Sequence, residues 1–481
     1  MKNLIIRLVL AAMLLALVPS ANIAHAEGET RKVFLTSSRV HNAPATAAAP
    51  GLFFVSPKGS PSNTGTFANP WDLQTALNHP ASLAPGSTIW LLEGTYVGQF
   101  TNRLKGTADQ WIAVQNHPNH RVIISNPNGP ALDIANSQYV LFWGLEITSN
   151  FNTRSTSRSS STYGIRVRQG DNSHHLKFVN MIIHDNQAQG IGWWQALKDS
   201  EIYGSLFYYN GTTQLDHGVY AHSATGSKIF SNNIVFDNAS HGFHGYAETH
   251  EKGLNNITLD SNTFFNNGSI GINTSSGKYG NYKRNILVGG LIKASNTVIT
   301  NNLTYYPGKE GSSLNLGYSG GSSNSWVFNN YFAGGTFNIG NSASGLNISG
   351  NVIYAPGGTS GFSTSSHPNN VLTSSRPSDT RIFVRPNAYD LKRAHITVYN
   401  WQKGATVYIP ASHLAGVAIR PGQFYELRNV QDYFGDIITG TYDGNGIIVP
   451  MTNHSVAQPM GLSFKPASTF PEFGAFVLIA K

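Results

Sequence analysis

Short apolar runs that follow a glycine recur at intervals of 24 to 29 residues through the middle of the chain. A fixed period in this range is typical of solenoids, in which each repeat stacks on its neighbours. The pattern therefore predicts a solenoid around residues 163–276. The glycines and the apolar residues after them are Gly164-Ile165, Gly190-Ile191, Gly218-Val219, Gly242-Phe243 and, more weakly, Gly271-Ile272.

A second set of apolar runs is in phase with the first, and most of its members follow an amide or small residue. The runs are short, rich in β-branched and aromatic residues and bounded by Asn, Gly and Ser, so they predict strands rather than helices. We expect the asparagines to stack their amides into a ladder between coils and to adopt the left-handed backbone of a corner. The residues before these runs are Gly144, Asn180, Ser205, Asn233, Asn262, Asn285, Asn302, Asn330 and Asn351.

Composition agrees with an all-β solenoid that occupies most of the 481 residues. Charged residues make up 12% of the chain, about half the roughly 25% usual in globular domains, as neutral Asn, Ser, Thr and Gly corners require. The absence of cysteine excludes a disulfide framework, a thiolate metal site and a cysteine nucleophile. The formal net charge of +8 suits an anionic partner, although net charge constrains partners only weakly.

The first 51 residues predict an exported chain. Lys2 and Arg7 precede the apolar residues 8–18, and Ala24-His25-Ala26 forms a small-residue cleavage site. Residues 1–26 are therefore predicted to be a secretory signal peptide, whose apolar part is too short to span a membrane. No later segment is long and apolar enough to cross a membrane. Residues 27–51 are predicted to form a linker.

Three motifs mark the start of the fold: residues 53–60 (FFVSPKGS), 69–77 (NPWDLQTAL) and 85–96 (PGSTIWLLEGTY). Residues 71–78 predict a short amphipathic helix that caps the exposed edge of the first coil. With the coils behind them, these motifs resemble the secreted right-handed parallel β-helix proteins of the pectate-lyase-like superfamily, over roughly residues 53–370.

The resemblance implies a right-handed parallel β-helix at 52–372 and is less specific for chemistry. The superfamily includes polysaccharide lyases, of which the alginate lyases resemble this chain, and also glycoside hydrolases, epimerases, adhesins and phage spikes. The sequence lacks the calcium-binding aspartate clusters of pectate lyases, the pattern of chondroitinase-B-like lyases and the Asp-Pro-His motif of the epimerases. No cofactor is predicted, and calcium is not indicated.

From about residue 376 the repeat gives way to alternating strands separated by turns, which predicts an antiparallel β-sandwich domain at 376–481. This region resembles the C-terminal β-domains attached to many carbohydrate-active enzymes. A structural role as a cap on the helix is favoured over sugar binding.

Two columns of outward side chains are expected on the repeated sheet, because side chains alternate between the faces of a strand. Coils lie about 4.8 Å apart, so the two columns would share one groove, whereas a one-residue slip in register would turn both inward. The first column is Arg166, Tyr220, His244 and Asn273, and the second is Arg168, Trp194, His222, Tyr246 and Ser275.

These residue types suit the cleavage of a polyuronate by β-elimination. Arg166 or Arg168 could stabilise the carboxylate as it becomes enolate-like. Histidine and tyrosine can remove the C5 proton and protonate the leaving oxygen. We expect Tyr220 and His244 at the chemistry, with His222 and Tyr246 beside them.

Further residues are expected to bind substrate along this groove. Trp194 could stack on a sugar ring, although it and Tyr246 could instead be surface aromatics that cover the sheet. His217 and His241 could satisfy corner carbonyls instead. A metal site at His222 and His244 lacks nearby carboxylates. The predicted substrate-binding residues are Trp194, Lys198, His217, His241, Lys252 and Asn273, and Arg154 and Arg158 are expected in a mobile loop.

Two other functions compete with a lyase. A glycoside hydrolase would need a pair of carboxylates, for which Asp216, Asp237, Glu201 and Glu248 are the candidates. A glycan-binding or envelope adhesin could use the same groove, but it has no need for paired histidine and tyrosine. The sequence thus predicts a secreted, monomeric lyase acting on an anionic, alginate-like polysaccharide, with no nucleic-acid partner.

Overall fold

The computed structural model describes residues 49–156, 162–280, 282–340 and 344–481. The predicted signal peptide, Arg158 and nearly all of the predicted linker lie outside these residues. Within them, nearly all regular structure is β-strand, accompanied by an α-helix at Leu73–Leu77 and 3₁₀ turns at Ala411–Leu414 and Val430–Asp432. No α-helix in the described part of the chain has the length and apolar character of a membrane span.

From Leu52 the chain winds through three parallel sheets, named here sheet 1, sheet 2 and sheet 3 in the order in which a coil visits them. One coil, for example, passes through Ser200–Tyr203 in sheet 1, Leu206–Tyr208 in sheet 2 and Val219–Ala221 in sheet 3. The next coil begins at Lys228–Ser231, which pairs in parallel with Ser200–Tyr203. The predicted parallel β-helix is therefore confirmed.

Each sheet takes one short strand from most coils. Sheet 1 contains Leu52–Val55, Thr88–Leu91, Ile112–Asn116, Gln138–Trp143, Ser173–Val179, Leu197–Lys198, Ser200–Tyr203, Lys228–Ser231, Ile257–Asp260, Ala294–Ser295, Val298–Thr300, Ser322–Phe328 and Ser344–Ser349. Sheet 2 contains Gly94–Val97, Val122–Ser125, Glu146–Thr148, Ile182–His184, Leu206–Tyr208, Ile234–Phe236, Thr263–Phe265, Leu303–Tyr305, Tyr331–Ala333, Val352–Tyr354 and Val371–Thr373. Sheet 3 contains Phe100–Asn102, Leu132–Ile134, Ile165–Val167, Ile191–Trp193, Val219–Ala221, His241–Gly245, Arg284–Gly290, Ser312–Ser319, Thr336–Ile339 and Thr359–Ser360.

The apolar residues that follow the repeated glycines stack inside the helix, as predicted. Ile165, Ile191, Val219 and Phe243 are register partners in successive strands of sheet 3, and all are fully buried. Burial of each such side chain contributes about 1.5–3 kcal/mol. The next partner of Phe243 is Ile286, so the prediction that Ile272 continues the column is wrong.

Two ladders of buried asparagines join the coils, as expected from the repeat. In the first, each side-chain amide donates to the carbonyl oxygen of the next asparagine at 2.8–3.1 Å. In the second, the corresponding distances are 2.8–3.0 Å. The first ladder runs through Asn233, Asn262, Asn302, Asn330, Asn351 and Asn370, and the second through Asn186, Asn210, Asn238, Asn267 and Asn285.

Two details of the ladders differ from the prediction. Asn285 belongs to the second ladder, because its strand lies in sheet 3. In the first ladder the left-handed backbone falls one residue before the stacked asparagines, for example at Asn232 with φ 52° and Asn301 with φ 55°. The asparagine that bonds its neighbours and the residue that turns the corner are thus separate positions.

The predicted N-terminal helix is present at Leu73–Leu77, capped by the side chain of Asp72, which accepts a hydrogen bond from the backbone of Thr75. Its Gln74 amide pairs with the backbone of Thr101, accepting from N at 2.8 Å and donating to O at 2.9 Å. Thr101 lies in the first strand of sheet 3, so Gln74 occupies hydrogen-bonding groups that the edge of the sheet would otherwise expose.

The strands after Val371–Thr373 are antiparallel and lie along sheet 2. Phe473 stacks on Tyr305 with ring centres 4.5 Å apart, and the Tyr399 hydroxyl donates to the carbonyl of Thr304 at 2.8 Å. One antiparallel sheet contains Thr380–Pro386, Arg393–Asn400, Phe473–Ala480, Phe424–Asn429 and Ile437–Thr441, and a hairpin contains Thr406–Pro410 and Gly446–Pro450.

Candidate active site

The predicted first column faces outward from sheet 3 but takes a different course after His244. Tyr220 and His244 are register partners, whereas the partner of His244 in the next strand is Leu287. Asn273 is therefore not in the column, and Ser275 is likewise absent from the second one. Residues 269–280 lie outside the strands of sheet 3, and Asn273 instead closes a turn, with its N–H donating to the Lys278 carbonyl at 2.8 Å.

Tyr220 and His244 form the centre of the outward face. Their rings are stacked with centres 4.8 Å apart and an interplanar angle of 19°, and both side chains are half-buried. On the other side of Tyr220 the register position is Gly192. A Cβ there would lie 2.9 Å from the Trp194 ring, so glycine leaves the space that the indole occupies.

A hydrogen bond to a second histidine fixes the orientation of His244. Its Nδ1 lies 2.7 Å from Nε2 of His217, and Nδ1 of His217 accepts the backbone N–H of His241 at 3.3 Å. Because His217 Nδ1 is an acceptor, its Nε2 carries the proton and donates to His244. This assigns the proton of a neutral His244 to Nε2, the nitrogen that His217 does not contact.

His244 and His241 are neutral at neutral pH, because the pKa of each is lowered. Burial, assisted by the positive charge of Arg284, lowers the pKa of His244 to about 3. Burial also lowers the pKa of His241 well below its usual range. His241 Nδ1 lies 2.6 Å from the Ser240 hydroxyl, and its Nε2 accepts a hydrogen bond from Arg284 Nη1 at 3.1 Å.

His217 and His241 lie beside His244, and Arg284 joins this cluster. At 3% and 4% exposure, the two predicted substrate-binding histidines present little surface to the groove. Arg284 is the register partner of His241 in the next strand of sheet 3. The sequence interpretation missed Arg284 because it placed the next coil at Gly271. A signal was available: Asn285, which follows Arg284, belongs to the recurring asparagines.

Two residues of the predicted second column, Trp194 and His222, are packed beneath the groove surface. Trp194 is 7% exposed and His222 is 3% exposed, with ring centres 4.7 Å apart. The Trp194 indole also packs against Tyr220 at 5.0 Å. This burial gives no support to the predictions that Trp194 stacks on a sugar and that His222 takes part in the chemistry. Tyr246 is half-buried, and its ring lies 5.2 Å from that of His244.

Lys252 borders this second column, as predicted, whereas Lys198 does not. Burial, followed by the positive charge of Lys252, lowers the pKa of His222 to about 4. Lys252 Nζ also pairs with Glu248 at 2.7 Å. Lys198 lies in sheet 1, where Leu197–Lys198 pairs with Ser173 and His174. The prediction for Lys198 is wrong because the chain turns a corner after Trp194.

The two predicted catalytic arginines are held by a carboxylate that sequence reasoning missed. Asp133 is fully buried. It accepts hydrogen bonds from Arg166 Nε and Nη2, both at 3.0 Å, and from Arg168 Nε at 2.7 Å. Asp133 lies between the apolar residues Leu132 and Ile134 in a strand of sheet 3, and it is the register partner of Arg166.

Arg166 and Arg168 are not next to the stacked pair. In sheet 3, Arg166 pairs with Gly192, and Gly192 pairs with Tyr220. Two coil spacings, roughly 9–10 Å, therefore separate Arg166 from Tyr220 along the helix axis. This spacing does not place the two arginines beside Tyr220 and His244, whereas the charge of Arg284 acts on His244.

The carboxylates proposed for a hydrolase are not paired in the groove. Asp216 accepts backbone hydrogen bonds from Thr212 and Thr213 in a turn. Asp237 is fully buried and lies against Gln431 of the C-terminal region at 3.3 Å. The other two candidates are engaged elsewhere: Glu201 with Lys177 and Tyr389, and Glu248 with Lys252. Among the described residues, no group of three or more His, Cys, Asp or Glu side chains is placed to hold a metal ion.

Comparison with known proteins gives a family and a fold. The family described as "Pel9A-like, right handed beta helix region" matches residues 53–351, whereas no curated protein matches. A crystal structure of pectate lyase Pel9A is 18% identical and has a TM-score of 0.47, over 68% of this chain and 80% of that one. An alginate lyase from Paenibacillus sp. str. FPU-7 is 18% identical with a TM-score of 0.42, over 67% and 99%. A GH136 lacto-N-biosidase from Eubacterium ramulus is 14% identical with a TM-score of 0.44, over 67% and 68%.

Proposed function

Because the chain belongs to the Pel9A-like right-handed β-helix family, we propose that it is an enzyme that cleaves an anionic polysaccharide. The reaction we propose is β-elimination on a uronate-bearing polymer such as alginate. The observation that carries the proposal is the stacked pair of Tyr220 and His244 on the outward face of sheet 3, with Arg284 beside it. The predicted signal peptide supports action outside the cell.

The proton positions suggest separate roles for the two stacked residues. Neutral His244 presents an N–H at Nε2, and a neutral imidazole can polarise a carbonyl group as an electrophile. We assign this N–H to the uronate carboxylate, which gains negative charge as the C5 proton leaves. Arg284 adds a positive charge near His244. Its charge contributes to the lowered pKa of that histidine.

This assignment leaves Tyr220 as the group for proton transfer. Its deprotonated hydroxyl takes the C5 proton, the C5–H electrons form the C4–C5 double bond, and the C4–O bond breaks. The leaving oxygen then takes the proton from the same hydroxyl, which restores the enzyme. One tyrosine suffices when the proton and the leaving oxygen lie on the same face of the sugar.

The test is to incubate the purified protein with alginate, pectate, hyaluronan and heparin in turn. We expect ultraviolet absorbance from an unsaturated uronate to rise together with reducing ends on at least one polymer. Tyr220→Phe should lower the rate by about 10²–10⁴-fold. Tyr408→Phe, at a tyrosine that is 52% exposed in the C-terminal region, is the matched control and should not change it.

Two outcomes would overturn the lyase proposal. Reducing ends that form without ultraviolet absorbance indicate hydrolysis. Silence in both assays on all four polymers, together with saturable binding of one of them, indicates a glycan-binding protein.

A further inference from the structure

Asp133 lies beneath two arginines that reach the surface of sheet 3. The carboxylate is fully buried, whereas the side chains of Arg166 and Arg168 are 29% and 38% exposed. Gln99 Nε2 also donates to Asp133 at 3.3 Å, and Arg168 Nη2 donates to the Thr101 hydroxyl at 3.4 Å. The arginines are therefore held in fixed positions from below.

The group carries more positive charge than the buried carboxylate requires. Arg166 alone makes a two-point contact with Asp133, through Nε and Nη2. Arg168 adds a second guanidinium to the same carboxylate, so the three side chains have a net charge of about +1. Within the described residues, Nη1 of each arginine makes no hydrogen bond. A purely structural ion pair does not need this second cation.

We propose that Arg166 and Arg168 bind a carboxylate of the polysaccharide at a subsite two coils from Tyr220, and that Asp133 positions them. The inference rests on the proposed function, because it identifies the substrate as one with a carboxylate away from the bond that is cleaved. Guanidinium groups match the planar geometry of a carboxylate. The separation of roughly 9–10 Å assigns this carboxylate to a different sugar from the one that reacts. The substrate is therefore a polyuronate with acidic groups on more than one sugar.

The test is calorimetric binding of a saturated alginate tetrasaccharide to the full chain, with Tyr220→Phe present throughout so that the ligand stays intact. Arg168→Gln should weaken binding by about 10–100-fold, as expected for a charged hydrogen bond. Arg168→Lys keeps the charge but loses the planar guanidinium. Its affinity for the tetrasaccharide should lie between those of the parent protein and of Arg168→Gln. Arg420→Gln removes one exposed charge from the C-terminal region and should bind like the parent.

Arg168→Gln should fold, because it leaves the two-point contact between Arg166 and Asp133 in place; a thermal unfolding curve checks this. The same tetrasaccharide with its carboxyl groups reduced to alcohols should lose affinity as the Arg168→Gln variant does. A sulfated tetrasaccharide without carboxyl groups that binds as tightly as the alginate one would overturn the assignment to carboxylate and indicate a site for anions in general.

Equal affinity of Arg168→Gln and Arg420→Gln for the alginate tetrasaccharide would overturn the subsite. The experiments distinguish failure of the subsite from failure of the lyase proposal. Arg168-dependent binding by a protein that yields no unsaturated product would reject the reaction and keep the subsite. Unsaturated product with an unchanged KM in Arg168→Gln would keep the reaction and reject the subsite.

Discussion

Nε2 of His217 lies 2.7 Å from Nδ1 of His244, so a buried histidine determines which nitrogen of a half-buried one is free to meet a ligand. His217 is 3% exposed, and its ring contacts that of His244 edge to face, with an interplanar angle of 72°. Its effect on a substrate is therefore indirect, through the position of a proton on its neighbour.

His217→Ala should lower kcat by about 100-fold, because His244 loses both its proton assignment and its fixed orientation. KM should change little, since His217 does not reach the groove surface. The measurement is a full Michaelis–Menten analysis on the polymer that the wild-type chain cleaves. His217→Gln, whose amide can donate to His244, should recover part of the rate. If kcat of His217→Gln is no higher than that of His217→Ala, His217 has a packing role only.

Arg284→Gln should lower kcat by about 10²–10³-fold, because it removes the positive charge that we propose stabilises the uronate carboxylate. The same change should raise the pKa of His244, since Arg284 now lowers it. Histidine titration followed by NMR checks the pKa, and the lyase assay checks the rate. Lys283→Gln removes an adjacent cation, which pairs with Glu310 at 2.7 Å, and should change neither. An equal loss of rate in both variants would mean that only the local positive charge matters.

Acid should destabilise the fold through the buried histidines. The pKa of His222 is about 4 in the folded protein, below about 6.5 in the unfolded chain, so the unfolded chain binds more protons between these values. The free energy of unfolding should therefore fall as the pH drops below 6.5, by about 2–3 kcal/mol for His222 at pH 4.5. Urea unfolding at pH 7 and at pH 4.5 measures this.

The matched variant His222→Gln separates this histidine from the other titrating groups. Its loss of stability between pH 7 and pH 4.5 should be smaller than that of the wild type by about the same 2–3 kcal/mol. An identical loss in both proteins would show that His222 is protonated in the folded state.

Asn302→Ala should destabilise the helix by about 2–4 kcal/mol, since it leaves buried partners without hydrogen bonds. The Asn302 amide donates to Asn330 at 3.0 Å and to the Leu259 carbonyl at 2.8 Å, and its oxygen accepts from Asn262 at 2.9 Å. The free energy of unfolding by urea gives the value. Asn347→Ala, at an exposed position in a sheet 1 strand, should fall within about 0.5 kcal/mol of wild type. Similar losses for both would refute the ladder as a source of stability.

The sequence was sufficient to predict the β-helix and the inward column from Ile165 to Phe243, because the glycine period and the two-residue alternation agree over that stretch. It was not sufficient at Ile272. The local pattern Ile270-Gly271-Ile272 copies the repeat, but the amide of Asn267 donates to Asn285 at 3.0 Å and so makes Asn285 the next corner. That choice depends on a contact between coils, which no local pattern contains.

The same limit explains the other differences at the site. The pairing of Arg166 with Asp133 depends on which strands are neighbours, and these residues are 33 positions apart in the chain. The burial of Trp194 depends on the gap above Gly192. In both cases the residue type was recognisable from the sequence, and its role was set by the coil beside it.

The contact between sheet 2 and the antiparallel strands restricts how the chain could be shortened. Outward rings on sheet 2 stack from coil to coil, with Tyr208 on Phe236 at 5.1 Å and Phe236 on Phe265 at 4.8 Å. Phe473 lies across this row, 5.0 Å from Phe265. A fragment without residues 376–481 would expose a continuous aromatic strip, the kind of surface that associates with itself. The shortened chain would therefore aggregate, even though it retains every residue of the groove on sheet 3.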